Sequence, residues 1–290
     1  MSAKIYFRTG PTQRLQRALI ALGSFLHGRI APQHALATAE RILLTPTRLP
    51  AKNSEPAAIK KQFVDGPEGK IATYCLGSGP VWLLTHGWSG ASHQFFPLME
   101  HIASRGYTAL AFDHLGHGAS AGKYAHLPAF MQAIETVAKG HNIAGYIAHS
   151  MGGAALLQSG IADADDKPVL LIAPVLNYVE NMYQTIERSG YSLRLFEQVT
   201  AKISQQYQFE LASIDPIAKL QARQGSTIIV HDPGDRLARF EVSEAASRNA
   251  SHVTLIKADK QGHGRVMKCR ASKQAFDQLV DYAPAQQGVV

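Results

Sequence analysis

Ser150 stands in a run of residues whose types could make it a nucleophile. A β-prone stretch, 143–148, leads directly to Ser150, and a helix-like segment follows. Small residues, Ala148 and Gly152, occupy the positions two before and two after the serine. A sharp strand-to-helix turn of this kind, a nucleophile elbow, exposes the hydroxyl and leaves room only for small neighbours. The helix would direct its positive end toward the serine, which suits an anion. The alternative is a glycine turn with an incidental surface serine.

Two later loops could supply the base and the acid that a serine nucleophile needs. His263 lies between two glycines, after a predicted strand at 252–257. The loop after the preceding strand carries two carboxylates, Asp232 and Asp235. Asp232 follows its strand directly, where a carboxylate more often shapes the turn. We therefore predict His263 as the base and Asp235 as the group that orients it, with Asp232 as the competitor.

Two backbone N–H groups could stabilise the anion that forms when the serine attacks a carbonyl. An apolar stretch, 81–85, ends in His86, Gly87 and Trp88. Gly87 would let the chain turn, so that the Trp88 N–H faces the serine. Met151, the residue after the nucleophile, would supply the second N–H. We expect His86 to brace this loop by hydrogen bonds rather than to react.

The loop after another predicted strand, 107–112, carries Asp113 and His117. These two residues could form a second charge relay. We expect them instead to tie their loop to its neighbours, and they stay outside the predicted catalytic set.

Taken together, these motifs resemble the serine-type α/β-hydrolases. The resemblance covers about residues 59–283. It rests on His86-Gly87-Trp88, Asp113-x-x-Gly116-His117-Gly118-x-Ser120, Ala148-x-Ser150-x-Gly152, Asp235 and Gly262-His263. The chain departs from the family pattern at Ala148, which replaces the first elbow glycine, and at Asp232, where the family often has glycine. The resemblance implies an esterase- or lipase-like hydrolase with the triad order Ser, Asp, His.

The rest of the chain alternates between strand-like and helix-like segments. After a hairpin of 59–64 and 70–75, strands are predicted near 81–85, 107–112, 143–148, 168–172, 226–231 and 252–257. Helices are predicted near 93–104, 126–139, 151–161, 240–248 and 270–282. This alternation predicts an α/β fold with a mostly parallel central sheet flanked by helices. Ligands would bind at the carboxyl ends of the strands, where all the candidate loops fall.

An insertion interrupts the alternation. Residues 175–220 contain aromatic and methionine residues at helical spacing, and the family commonly places a cap here. We predict a short helical cap that covers the serine, with an ordinary surface excursion as the alternative. The predicted substrate-binding residues are His149, Tyr178, Met182 and Tyr183.

Charge is concentrated in an N-terminal helical extension, residues 1–50, which a linker at 51–58 joins to a hydrolase domain at 59–290. The extension has seven basic residues and one acidic residue, so it accounts for +6 of the net charge of +7. A leucine stripe of Leu15, Leu19, Leu22 and Leu26 predicts an amphipathic helix. We expect this stripe to pack on the hydrolase domain; an anionic membrane surface in contact with residues 12–30 is the alternative. A signal peptide is disfavoured, because His27 and Arg29 follow the apolar stretch too early.

The composition narrows the class of function further. The two cysteines, Cys75 and Cys269, fit a reducing compartment, and the expected location is cytoplasmic with optional peripheral membrane contact. We expect no cofactor, no metal and no nucleic-acid partner.

The predicted activity is carboxylic ester hydrolysis on a small-molecule substrate, as in carboxylesterases, lysophospholipases or monoacylglycerol lipases. Alternatives on the same triad are a thioesterase, an acyltransferase or a C–C hydrolase; a non-catalytic binding protein is a further one.

Overall fold

The computed structural model describes residues 11–161 and 166–286, and its centre is one eight-stranded sheet. The strands are β1 Lys60–Gly66, β2 Gly69–Gly77, β3 Val81–Thr85, β4 Thr108–Phe112, β5 Ile143–His149, β6 Val169–Ile172, β7 Thr227–His231 and β8 Val253–Lys257. Their order across the sheet is β1-β2-β4-β3-β5-β6-β7-β8. The pairs β1–β2 and β2–β4 are antiparallel, and the other pairs are parallel.

Eleven α-helices lie in the described part of the chain. They are α1 Pro11–Ile30, α2 Pro32–Leu44, α3 Phe96–Ser104, α4 Leu127–Ala138, α5 Met151–Gln158, α6 Tyr178–Ser189, α7 Leu193–Tyr207, α8 Pro216–Ala222, α9 Phe240–Arg248, α10 Gly262–Arg265 and α11 Arg270–Gln286. Several begin at residues that suit a helix start. Asp215, for example, accepts a hydrogen bond from the N–H of Ala218 at 2.9 Å, and Pro216 follows as the first helical residue.

Two apolar cores cover the two faces of the sheet. Neighbouring residues of one strand enter different cores because side chains alternate across a strand: Leu83 belongs to one core and Leu84 to the other. The first core contains residues of α4 and α5, such as Phe130, and the second contains residues of α3 and α11, such as Phe276. The predicted α/β architecture is therefore confirmed, and the sheet is a rigid support for the loops at its carboxyl edge.

The structure corrects two local expectations. The helix predicted from residue 93 begins at Phe96, because Ser92–Gln94 first form a separate 3-10 turn. His263, which we placed on an open loop, lies within the short helix α10.

The predicted packing of the leucine stripe on the hydrolase domain is wrong. α1 and α2 do form, but the four leucines of the stripe are 44–62% exposed. α1 instead packs against α2 and α6, and α2 packs against α7. Among residues 11–161 and 166–286, none of the helices has the length and apolar character of a membrane-spanning segment.

Candidate active site

Ser150 occupies a strained turn between β5 and α5. Its φ of 55° and ψ of −122° lie in a region that residues other than glycine rarely adopt. Crowding explains the small neighbours: a Cβ on Gly152 would stand 2.6 Å from the carbonyl oxygen of His86. The side chain of Ala148 is fully buried in the core, where a methyl group fits. The turn therefore places the Ser150 hydroxyl at the carboxyl edge of the sheet and at the N-terminus of a helix.

His263 joins the serine to a carboxylate. Its Nε2 lies 2.9 Å from Oγ of Ser150, and its Nδ1 lies 2.7 Å from Oδ2 of Asp235. Because a carboxylate only accepts, the proton belongs on Nδ1, which leaves Nε2 free to accept from the serine hydroxyl. The three predicted residues thus meet in the order that a serine nucleophile, a base and an orienting acid require.

The two candidate aspartates take different positions. Asp235 has a fully buried side chain, and its Oδ1 accepts hydrogen bonds from the N–H groups of Leu237 and Ala238 at 2.8 and 3.1 Å. Asp232 accepts from the N–H groups of Gly234, at 2.7 Å, and Gly262. Asp232 therefore shapes its own turn and holds the start of α10, whereas Asp235 faces the imidazole.

A residue that the sequence reasoning missed, His231, lies on the other side of Asp235. It is fully buried at the end of β7, with Nδ1 2.9 Å from the Ser243 hydroxyl and Nε2 3.3 Å from Oδ2 of Asp235. If the hydroxyl donates to Nδ1, the proton on Nε2 faces the carboxylate. The 3.3 Å contact between Nε2 of His231 and Asp235 is not aligned as a well-formed hydrogen bond. We therefore regard the effect of His231 on Asp235 as mainly electrostatic. The spacing of four residues between His231 and Asp235 was the one available signal.

The environment of Asp235 keeps it ionised. Burial alone would raise its pKa, but the neighbouring His231 and His263 and the N–H of Leu237 outweigh burial and hold the pKa well below its usual range. Asp235 is therefore negative at neutral pH and can stabilise a positive charge that forms on His263.

The loop of Gly87 and the start of α5, which carry the two predicted N–H donors, meet at Ser150. Gly87 approaches so closely that a Cβ there would stand 2.6 Å from Cβ of Ser150. Trp88 follows Gly87, and Met151 is the first residue of α5. In the described part of the chain, no hydrogen bond to the protein engages the N–H of Trp88 or of Met151. Both groups are therefore available to an incoming oxygen.

His86 fixes the backbone of this loop, as predicted. Its Nε2 accepts from the N–H of His114 at 3.0 Å, so its Nδ1 carries the proton and donates to the carbonyl oxygen of Gly87 at 2.8 Å. Complete burial lowers the pKa of His86, so it stays neutral in this role. The contact orients the peptide group between Gly87 and Trp88, which carries the candidate donor.

Asp113 and His117 brace loops, and the expectation that they tie their loop to its neighbours is confirmed. Asp113 accepts from the N–H groups of Ser92 and Ala119 at 2.7 and 2.8 Å. His117 accepts at Nε2 from the N–H of Ser89 at 3.0 Å. Burial, with His86 nearby, lowers the pKa of His117 to about 3, so it stays neutral.

The predicted substrate-binding residues fall into two groups. His149 is buried below the triad, where its Nε2 donates to the carbonyl oxygen of His263 at 2.9 Å and so supports α10. Tyr178 and Met182, on α6, pack into the core that also contains Met151. Tyr183 contacts the ring of Phe196 on α7 at 5.1 Å between ring centroids. This ring contact joins α6 to α7.

The contact between Gly87 and Ser150 leads to a mutational prediction. We expect Gly87→Ala to lower kcat by about 10²–10³-fold, because the methyl group displaces the loop and its N–H donor from the serine. Steady-state kinetics and thermal melting would separate this effect from unfolding. Gly264→Ala is a matched control, since a Cβ at Gly264 meets nothing within 4 Å. Equal activity of the two variants would refute the proposed position of the donor.

Comparison with known protein families gives one match that covers most of the chain. The model of a family described as serine aminopeptidase, S33 (Hydrolase_4) matches residues 80–277. That range includes every residue of the candidate site. No curated protein sequence matches the chain.

Solved structures share the fold. The esterase Pf2001 of Pyrococcus furiosus is 18% identical, with a TM-score of 0.62, and the match covers 82% of this chain and 99% of that chain. Est1E of Butyrivibrio proteoclasticus, solved with ferulic acid, is 16% identical with a TM-score of 0.60, covering 79% of this chain and 100% of that one. A bacterial membrane phospholipase A is 17% identical with a TM-score of 0.57, covering 94% and 99%. At these identities the likeness is one of fold.

Proposed function

Because the chain belongs to the family of α/β-hydrolases described as serine aminopeptidase, S33, we propose that it hydrolyses carboxylic esters through an acyl-enzyme on Ser150. One observation carries the proposal: His263 bridges Ser150 and Asp235 by contacts of 2.9 and 2.7 Å. This arrangement provides the nucleophile, base and orienting acid of two-step acyl transfer.

The first step forms the acyl-enzyme. Oγ of Ser150 attacks the ester carbonyl carbon while Nε2 of His263 takes the hydroxyl proton. The carbonyl oxygen becomes an anion and accepts hydrogen bonds from the N–H groups of Trp88 and Met151. When the intermediate collapses, the bond to the leaving oxygen breaks, and His263 returns its proton to the departing alcohol. Asp235 stabilises the imidazolium throughout.

The second step regenerates the serine. His263 takes a proton from a water molecule, whose oxygen attacks the acyl carbon. Collapse of the second tetrahedral intermediate releases the carboxylic acid, and Ser150 recovers its proton from His263. The same two N–H groups stabilise both intermediates.

The proposed substrate is a neutral acyl ester of short to medium chain length. The side chains on α6 that we predicted to bind the substrate, Tyr178, Met182 and Tyr183, are uncharged, and on this basis we propose an acyl group without charge. The structural neighbours named as esterases and as a phospholipase A support an ester substrate and extend the proposed class to lysophospholipids and monoacylglycerols.

A p-nitrophenyl ester series from acetate to palmitate tests this proposal. We expect kcat/KM to pass through a maximum at short to medium chain length, because we propose that the acyl group fits between Ser150 and the predicted cap, which corresponds to α6 and α7. Monoacylglycerol and lysophosphatidylcholine would extend the series to lipid alcohols. If a protein sample that melts cooperatively turned over none of these esters, the proposal would be overturned.

The family description favours one alternative, cleavage of an N-terminal residue from a peptide. The same triad can attack an amide. Alanine and proline p-nitroanilides are therefore the matched amide substrates, and an acyl-CoA series tests thioester hydrolysis. Preference for an aminoacyl anilide over every ester would assign the site to peptides.

A further inference from the structure

Helix α1 turns its apolar side chains away from the protein. The leucine stripe continues through Ile30, and the five side chains are 44–81% exposed. Phe25, beside the stripe, is 59% exposed. Single exposed apolar residues are ordinary, but a row of them along one helix is typical of a surface that binds something.

The opposite face of α1 contacts the rest of the chain. Ser24 on this face is buried, and the Cβ position of Gly28 is 4.0 Å from the side chain of Leu195 on α7. Gly190, at the end of α6, lies so close to α1 that a Cβ there would stand 2.5 Å from the carbonyl oxygen of Arg17. Small residues allow this approach, so close contacts with α6 and α7 fix the outward direction of the stripe.

Helix α2 holds α1 in this orientation. Ala35 and Ala39 are fully buried and share a small core with Val199 of α7. His27 on α1 and His34 on α2 are linked by a contact of 2.7 Å between their ring nitrogens. The two N-terminal helices thus pack against α6 and α7.

The surface around the stripe is basic. Arg14 and Arg29 are exposed on α1, within a segment, residues 1–50, that carries a net charge of +6. The only acidic residue of this segment, Glu40, is paired with Lys202 at 2.6 Å. A row of apolar side chains with cationic neighbours complements a binding partner whose interior is apolar and whose outer surface is anionic.

We propose that α1 lies flat on an anionic lipid surface, with the leucine stripe in the headgroup–acyl boundary and the arginines at the lipid phosphates and carboxylates. Because α1 and α2 pack on α6 and α7, this position would hold α6 and α7 next to the bilayer. The inference goes beyond ester hydrolysis and does not depend on it, since binding is measured without turnover.

Charge favours lipid over a second copy of the chain as the occupant of the stripe. A dimer through α1 would bring together two segments that each carry +6. Anionic lipid would neutralise that charge, and attraction of this type amounts to about a fivefold gain in binding for each basic residue near the surface.

Vesicle co-sedimentation of the full chain tests the proposal. We expect the protein to bind mixed phosphatidylcholine–phosphatidylserine vesicles more tightly than pure phosphatidylcholine vesicles, and less tightly as salt rises. Replacing Leu15, Leu19 and Leu22 together by glutamine should weaken binding by about 100-fold. Arg14→Gln with Arg29→Gln should weaken it by about 25-fold.

Matched controls carry the same kinds of substitution, an apolar residue to glutamine or two arginines to glutamine, on elements other than α1. Phe63→Gln removes an exposed apolar side chain from β1, and Arg248→Gln with Arg270→Gln removes two exposed charges from α9 and α11. These controls should bind vesicles like the wild type, and all variants should keep their melting temperature and their activity on a soluble ester.

Three results would overturn the proposal. One is failure of the wild type to sediment with anionic vesicles. The second is binding that the leucine variant retains. The third is a dimer, detected by light scattering, that the leucine variant abolishes while vesicle binding stays unchanged; that result would assign the stripe to a second copy. Ester turnover without vesicle binding would refute only the lipid surface, and binding without turnover only the proposed activity.

Discussion

Ser150→Ala is expected to lower kcat for ester hydrolysis by about 10⁶-fold, with little change in the melting temperature. The variant removes the only oxygen that His263 contacts at Nε2 in the described structure, so no acyl-enzyme can form. The N–H groups of Trp88 and Met151 would remain, and the residual rate would come from them and from substrate binding. The strained turn at Ser150 tolerates alanine as it tolerates serine, because both have a Cβ.

Stopped-flow kinetics with a p-nitrophenyl ester measure the formation of the acyl-enzyme and its turnover. The wild type should show a burst of p-nitrophenol when deacylation limits the rate, and Ser150→Ala should show none. Ser159→Ala is a suitable control, because Ser159 caps the far end of α5 and its hydroxyl only contacts the carbonyl oxygen of Leu156. A Ser150→Ala enzyme that keeps a tenth of the wild-type kcat would exclude Ser150 as the nucleophile.

Asp235→Asn is expected to lower kcat by about 10⁴-fold. An asparagine keeps the shape but loses the charge, and its amide can donate to Nδ1 of His263. The imidazole would then carry its proton on Nε2, facing Ser150, where it cannot accept the hydroxyl proton. The backbone contacts from Leu237 and Ala238 should hold the new side chain in place.

Asp232→Asn distinguishes the two aspartates. Asp232 contacts the turn and the start of α10 and does not reach the imidazole. We expect this variant to lose about 1–3 kcal/mol of stability and less than about 10-fold in kcat, because a hydrogen-bonded charge is lost outside the reaction. The reverse ranking, with Asp232→Asn the slower enzyme, would assign the orienting role to Asp232.

The contacts among Ser150, His263 and Asp235 could be predicted from the sequence, because each of the three residues follows a strand that the sequence indicates clearly. Ser150 comes after an apolar run and before small helical residues, and His263 stands between glycines after β8. Parallel strands place their carboxyl ends at one edge, so order along the chain becomes proximity in space. The choice of Asp235 over Asp232 relied on its distance from the strand, and the observed hydrogen bonds agree.

Contacts between distant elements could not be predicted in the same way. His231 and His149 are buried histidines whose partners, Asp235 and the carbonyl oxygen of His263, depend on how loops fold back over the sheet edge. Apart from the spacing of four residues between His231 and Asp235, the sequence carries no signal of these partners. His117 likewise gains its role from the N–H of Ser89, which belongs to a different loop.

The leucine stripe shows why a helical pattern predicts the helix but not its neighbour. A spacing of three and four residues aligns Leu15, Leu19, Leu22 and Leu26 on one face, whichever way that face points. The direction is determined by the opposite face, where Ser24 is buried and Gly28 lies close to Leu195 of α7. Apolar periodicity alone favours packing of the stripe on the rest of the protein. Here the small residues on the opposite face of α1 determine the direction in which the stripe points.

Labelling with a fluorophosphonate probe, followed by intact mass measurement, tests the central claim most directly. The probe reacts with a serine only when a neighbouring base activates it, so labelling reports whether His263 activates Ser150. We predict one adduct on the wild type, located at Ser150 by peptide mapping, and no adduct on Ser150→Ala. A folded wild type that stays unlabelled, or a label that persists in Ser150→Ala, would contradict the assignment of Ser150, His263 and Asp235 as a working triad.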